Sequence, residues 1–146
     1  VFPATQVASA DANTLDDYEE GTWTPVLGGS GGQSGQTYAE QSGTYTKIGR
    51  HVLISCTIRL TAKGTITTNL QISGLPFASG ATYSWSAAAR PSTLAVGWAH
   101  VHGILLPSVS VIRLDGFDTL DTTSTILTTT DVADATQMRI TIAYHV

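Results

Sequence analysis

Residues 43–61, GTYTKIGRHVLISCTIRLT, constrain the fold more than any other stretch of this chain. From His51 onward Val52, Ile54, Cys56, Ile58 and Leu60 alternate with His51, Ser55, Thr57, Arg59 and Thr61, and only Leu53 breaks the polar set. Strand side chains point to opposite faces with a period of two, so the pattern predicts a long strand with one buried face. Lys47-Ile48-Gly49-Arg50 reads as a tight turn, with Gly49 free to take a positive φ. Residues 44–48 then form the other arm of an antiparallel hairpin.

Composition supports the same class. Charged residues make up 12% of the chain, against roughly 25% in ordinary domains, and Thr, Ser and Gly stand in their place. Helix surfaces are built from Glu, Lys and Arg, whereas β-branched residues pack well on pleated sheets. At 146 residues the chain suits one domain with a core of its own. A net charge of −4 with seven scattered Lys and Arg offers no footprint for nucleic acid. A single cysteine leaves no internal disulfide and no thiolate metal site, and Cys56 falls on the apolar side of its strand as a small buried hydrophobe. No apolar run approaches the roughly 20 residues of a membrane helix. The N-terminal residues have neither a basic start nor an apolar stretch, so they do not read as a signal peptide, and the missing initial Met suggests a piece of a longer chain.

Two parts follow. Residues 1–21 lack periodicity and end in the acidic run Asp16-Asp17-Tyr18-Glu19-Glu20, which reads as an extended N-terminal connector. Residues 22–146 form the β domain. Thr22-Trp23-Thr24-Pro25-Val26-Leu27 is a first strand, with Pro25 at an edge because it has no N–H to donate. Residues 28–35, GGSGGQSG, form a mobile loop, and without a following Gly-Lys-Ser/Thr or helix they are no phosphate cradle. Further strands are expected over 65–73, 83–89, 93–101, 104–114 and 124–128. Asp115-Gly116-Phe117-Asp118 reads as a turn. One helical turn near Thr130 follows, with Thr130 or Asp131 as its cap. Met138, Ile140, Ile142 and Tyr144 form the apolar side of a closing strand. About eight short strands at this spacing predict an all-β, antiparallel β-sandwich of jelly-roll type.

Four pieces then stand out in order: Gly21-Thr22-Trp23-Thr24-Pro25, Gly43-Thr44-Tyr45-Thr46-Lys47-Ile48-Gly49-Arg50, Ile72-Ser73-Gly74-Leu75-Pro76-Phe77, and the strand ending in Tyr144. With the lead-in Asn13-Thr14-Leu15-Asp16-Asp17-Tyr18-Glu19-Glu20, they resemble the C-terminal domains of bacteriophage tail fibres and tailspikes. Residues 77–135 carry no matching motif. The resemblance implies a virion protein, a homotrimer at the end of a tail appendage, and a role in trimerisation, in attachment to bacterial surface polysaccharide, or in both. It also implies that any depolymerase activity belongs to an upstream region, so the domain itself is expected to be no enzyme and to need no cofactor.

Glycan binding needs flat aromatic faces with polar groups beside them. Trp85, with Tyr83, is the first candidate because its neighbours are small and polar, and Trp98 beside Gly97 is the second. The plainer reading makes Trp23, Trp98 and Phe77 core or subunit-contact aromatics. His100-Val101-His102 is the one metal-like spacing, since residues two apart on a strand face the same way. Around the threefold axis that the resemblance implies, three such pairs would offer six nitrogens to one ion, whereas one chain supplies only two. Two histidines on a polar face need no metal, and that is the preferred reading. Asp115, Asp118 and Asp121 lack the EF-hand spacing for calcium and read as solvated turn carboxylates. Asp16, Asp17, Glu19 and Glu20 lie in a run that cannot hold two carboxyls across a cleft, as a glycosidase requires. The competing functions are a monomeric carbohydrate-binding module and a purely structural trimerisation or folding cap.

Overall fold

The computed structural model describes residues 17–119 and 122–146, whose regular elements are all β-strands apart from one short 3₁₀ turn, Thr129–Asp131. The N-terminal strands are β1 (Tyr18–Trp23), β2 (Val26–Gly29) and the short β3 (Gln33–Ser34). The predicted hairpin follows as β4 (Thr37–Ile48) and β5 (His51–Ala62), turning at Gly49 with φ of 55°. Then come β6 (Thr65–Ile66), β7 (Leu70–Ser73), β8 (Trp85–Leu94), β9 (His100–Leu105), β10 (Ile112–Phe117), β11 (Thr125–Ile126) and β12 (Val132–His145). All pairings are antiparallel, and the main sheet runs β1-β4-β5-β12-β8-β9-β10-β7-β2, with β11 beside β10. β3 and β6 form a separate small ribbon.

This order dictates the shape. The two ends of the path, β1 and β2, are consecutive in the chain and joined only by Thr24-Pro25. A link that short spans about 11 Å at most, so the sheet must curl until its edges nearly meet. The apolar alternation of β5 and β12 therefore faces inward on a single core. Val52, Ile54, Ile58, Leu60, Met138, Ile140, Ile142 and Tyr144 join Leu27, Leu70, Ile72, Leu105, Ile112 and Leu114 in one buried cluster. The layers of this all-β fold are thus turns of one rolled sheet.

Several boundaries differ from the sequence reading. Tyr18–Trp23 is a full strand, so residues 18–21, assigned to the connector on composition, pair with β4; residues 1–16 lie outside the described part. The expected strand over 22–27 is broken at Thr24-Pro25, where the chain crosses from one sheet edge to the other. Gly28 and Gly29 of the supposed loop belong to β2. The stretches 65–73, 93–101 and 104–114 are each interrupted, with left-handed Thr68, Thr93 and Ser108 at or near the breaks. Asp115-Gly116-Phe117 is no turn but the end of β10, where Asp115 is 2% exposed. The 3₁₀ turn is capped at Thr128 rather than Thr130, and the Asp131 carboxylate accepts from the Thr128 N–H at 2.7 Å.

The four landmark motifs converge at the closure. Gly21 pairs with Tyr45 and Trp23 with Gly43, so the two Gly-Thr-aromatic triplets lie antiparallel, each ring over the other strand's glycine. A Cβ on Gly43 would lie 2.4 Å from Trp23 Nε1, and one on Gly21 would lie 2.8 Å from the Tyr45 ring. Phe77 stands edge-on to Tyr45 at 5.3 Å, and the Tyr144 hydroxyl donates to the Phe77 carbonyl at 2.9 Å. Gln41 Nε2 donates to the Pro25 carbonyl at 2.9 Å, tying β4 to the crossing.

Candidate functional site

At the rim where β5 begins, β12 ends and β8 begins, aromatic rings gather on the surface. His51 pairs directly with His145, and their ring centroids are 5.6 Å apart. Trp85 lies 6.3 Å from His145 and 6.3 Å from Tyr144, so one side of the indole rests on the core. Tyr83 stands edge-on to Trp85 at 6.4 Å and is 67% exposed. The Gly80 N–H donates to the His145 carbonyl at 2.8 Å and anchors the loop that carries Tyr83. Arg50 completes the rim, its Nε donating to the Val146 carbonyl at 3.1 Å. Rings fixed from below, with imidazole and guanidinium donors alongside, form a ledge of the kind that sugar C–H faces stack on.

Trp85 and Tyr83 are thus brought together, and Trp98 is not. Trp85 pairs with Leu105 at one end of β9, and Trp98 precedes His100 at the other, roughly 17 Å along the strand. The Trp98 Nε1–H donates to Asp131 Oδ1 at 3.0 Å, and its ring covers Gly116, where a Cβ would approach within 2.6 Å. That is a packing role. His51 and His145 were missed as rim residues because each is an ordinary polar position in its own strand. Their parity at the two strand ends is a usable signal only once β5 is known to pair with β12.

His100 and His102 do share the outer face, but as a stack. Their rings lie 5.9 Å apart at 14°, and the Phe117 ring packs beside both, 5.3 Å from His102 and 6.4 Å from His100. Lone pairs in nearly parallel planes do not converge on one ion within the chain. The buried His102 Nδ1 has no hydrogen-bond partner among the described residues. Among the described residues no group of three or more His, Cys, Asp or Glu is placed to hold a metal.

Asp115 is held by Arg113 through two bonds, Nε to Oδ1 at 2.7 Å and Nη2 to Oδ2 at 2.9 Å, so it is a buried ion-paired group and not a solvated turn carboxylate. This bonding raises the Arg113 pKa further above its ordinary value. Asp118 accepts from the Thr119 N–H at 2.6 Å, and Asp121 lies outside the described residues. In the acidic run Asp17 pairs with Lys47, Glu19 accepts from Tyr45 at 2.6 Å, and Glu20 accepts from Tyr18 at 2.6 Å; Asp16 is outside the described part. Glu19 and Glu20 alternate on β1 and do not face one another across a cleft. Those carboxylates raise the pKa of Tyr45 and Tyr18 by accepting hydrogen bonds from the protonated hydroxyls. Burial pushes the Cys56 thiol up to about 11, away from thiolate reactivity.

Comparison with described sequence families and with curated proteins finds no match. Among solved structures the fold is similar to part of the Dettilon tailspike protein, with a TM-score of 0.64 and 16% sequence identity. The likeness covers 88% of this chain and 24% of that one, so the chain spans about a quarter of the tailspike's length. The rolled antiparallel sheet is therefore a fold that a tailspike contains.

Proposed function

We propose that this chain is a non-catalytic C-terminal domain of a phage tail fibre or tailspike, joining three copies and attaching the virion's tail appendage to glycans of the bacterial surface. The observation that carries this reading is the likeness of 88% of the chain to a segment of a tailspike. The ledge of exposed Tyr83 and half-buried Trp85 supplies a surface suited to sugar rings. The end of the outer face beside the β4–β5 turn, where Ile48 is 42% and Leu53 45% exposed, suits contact with further copies. Three linked sites raise avidity over single-site affinity by about 10²–10⁴ without any new contact.

The test is the mass of the purified domain by sedimentation, followed by adsorption to host cells. A trimer that adsorbs supports the reading. A stable monomer that binds sugars makes it a carbohydrate-binding module, and a trimer that binds no cell makes it a structural cap. New reducing ends after incubation with host polysaccharide would make it an enzyme.

A further inference from the structure

On the outer face, strand register assembles a row that no single stretch of sequence contains. Ser42 of β4 pairs with Thr57 of β5, Thr57 with Arg139 of β12, and Arg139 with Arg90 of β8. Directly opposed residues of antiparallel strands share a face, so these four side chains stand in line. In the neighbouring outer row Glu40 pairs with Arg59 and Arg59 with Gln137. Three of the chain's seven basic residues therefore meet on adjacent strands of a molecule whose net charge is −4.

Arg90 and Arg139 are both exposed and directly opposite, an arrangement that costs stability when nothing lies between the charges. Among the described residues neither makes a hydrogen bond or an ion pair, and Glu40 makes no ion pair with Arg59; the ion pairs are those of Lys47 with Asp17 and Arg113 with Asp115. Beside Arg139 lies a shallow depression of about 260 Å³, walled by Ser42, Thr44, Ser55, Thr57 and Thr141, with Gly43 in its floor. Hydroxyls that donate and accept, next to guanidinium forks that match a planar anion, are the complement of a sugar bearing a carboxylate or phosphate.

We propose that this groove binds an acidic saccharide unit, its anion bridging Arg139 and Arg90 and its hydroxyls meeting the Ser and Thr wall. The inference builds on the attachment reading and narrows its glycan to an anionic one, at a place apart from the Tyr83–Trp85 ledge. An anion between the guanidiniums would turn an unfavourable contact into two charge-assisted ones.

The probes are tetragalacturonate and the neutral maltotetraose, titrated into the domain with backbone amide shifts as readout. Tetragalacturonate should shift Thr57, Arg139 and Thr141, bind more weakly as salt rises, and lose about tenfold in affinity with Arg139→Gln or Arg90→Gln. Maltotetraose should leave these amides in place. Either variant alone should melt no lower than the wild type, since it removes a like-charge contact, and this separates lost binding from lost folding. Absence of tetragalacturonate binding, or binding indifferent to both variants, overturns the site. So does a loss of oligomer mass in the variants, which would give the face to carboxylates of a second copy. A domain that adsorbs to host cells while ignoring tetragalacturonate refutes this inference alone. One that binds tetragalacturonate at Arg139 but no cell refutes the attachment reading alone.

Discussion

Replacing Gly43 with alanine should unfold the domain more easily, although alanine ordinarily favours a strand over glycine by about 0.5–1 kcal/mol. The added Cβ would lie 2.4 Å from Trp23 Nε1, 2.6 Å from Cε2 and 2.7 Å from Cδ1. These are pyrrole atoms of an indole that is 8% exposed and whose Nε1–H donates to the Thr44 carbonyl at 3.3 Å. Trp23 must therefore swing away and give up that bond, or the β1–β4 ladder must part. Overpacking of this kind costs about 1–3 kcal/mol, and a lost hydrogen bond adds about 0.5–1.5 kcal/mol. After the glycine-to-alanine gain, the net loss is about 0.5–4 kcal/mol. Urea unfolding at fixed protein concentration, followed by tryptophan emission, measures it. A double-mutant cycle sharpens the test. Trp23→Ala alone should cost about 3–5 kcal/mol by emptying its site, but Gly43→Ala in that background should cost nothing further, because the clash has gone. Equal stability of Gly43→Ala and wild type, with unchanged emission, would refute the idea that each ring occupies the other strand's missing side chain.

Trp85→Ala should weaken adsorption to host cells while leaving the sedimentation mass unchanged; undiminished adsorption would remove the Tyr83–Trp85 ledge from consideration. Trp98→Phe keeps the ring over Gly116 but leaves Asp131 Oδ1 without its indole donor, and urea unfolding should show a loss of about 1–3 kcal/mol. Burial holds the Cys56 thiol up to about 11 and the Tyr144 hydroxyl up to about 12, from ordinary values of 9.0 and 10.0. In alkali the unfolded chain thus sheds these protons first, so their contribution is complete below about pH 9 and declines as pH rises from there to about 12. Urea midpoints at successive pH values should fall through this window, and less steeply in Cys56→Ala between 9 and 11; equal slopes would refute it.

Where two apolar faces were legible, the reason was length. β5 holds a period of two over its 12 residues and β12 from Thr136 to His145, past the register shift after Val132, and every buried position expected in them is buried. Leu53, the one apolar residue of β5 between His51 and Thr61 on the polar parity, is on the outside. What failed was local composition judged without its distant partners. The acidic run resembled a connector because Lys47 and Tyr45, which pair with Asp17 and Glu19, lie 30 and 26 residues away. Asp115-Gly116 resembled a turn, yet Arg113 neutralises the aspartate and Trp98 occupies the space above the glycine. The rim and the arginine row were invisible for the same reason. His51 meets His145, and Arg90 meets Arg139, only through sheet order and register, which a one-dimensional pattern does not contain.

The residues that make the sequence resemble tail-fibre domains are those that close the roll. Gly21, Trp23, Gly43, Tyr45, Phe77 and Tyr144 satisfy one another's volume and hydrogen bonds at the meeting of the two sheet edges. Of these, only Gly43 in the floor of the groove and Tyr144 beneath Trp85 touch a candidate binding surface, and both do so from below. Tyr83 lies in the loop before β8, and Arg90 and Arg139 point outward from strands whose inward faces already fill the core, so these positions can change without disturbing the closure. A fold locked in this way separates the chemistry that holds the sheet shut from the chemistry that meets a ligand. The motifs accordingly predict shape, and what the domain binds must be read from the exposed positions between them.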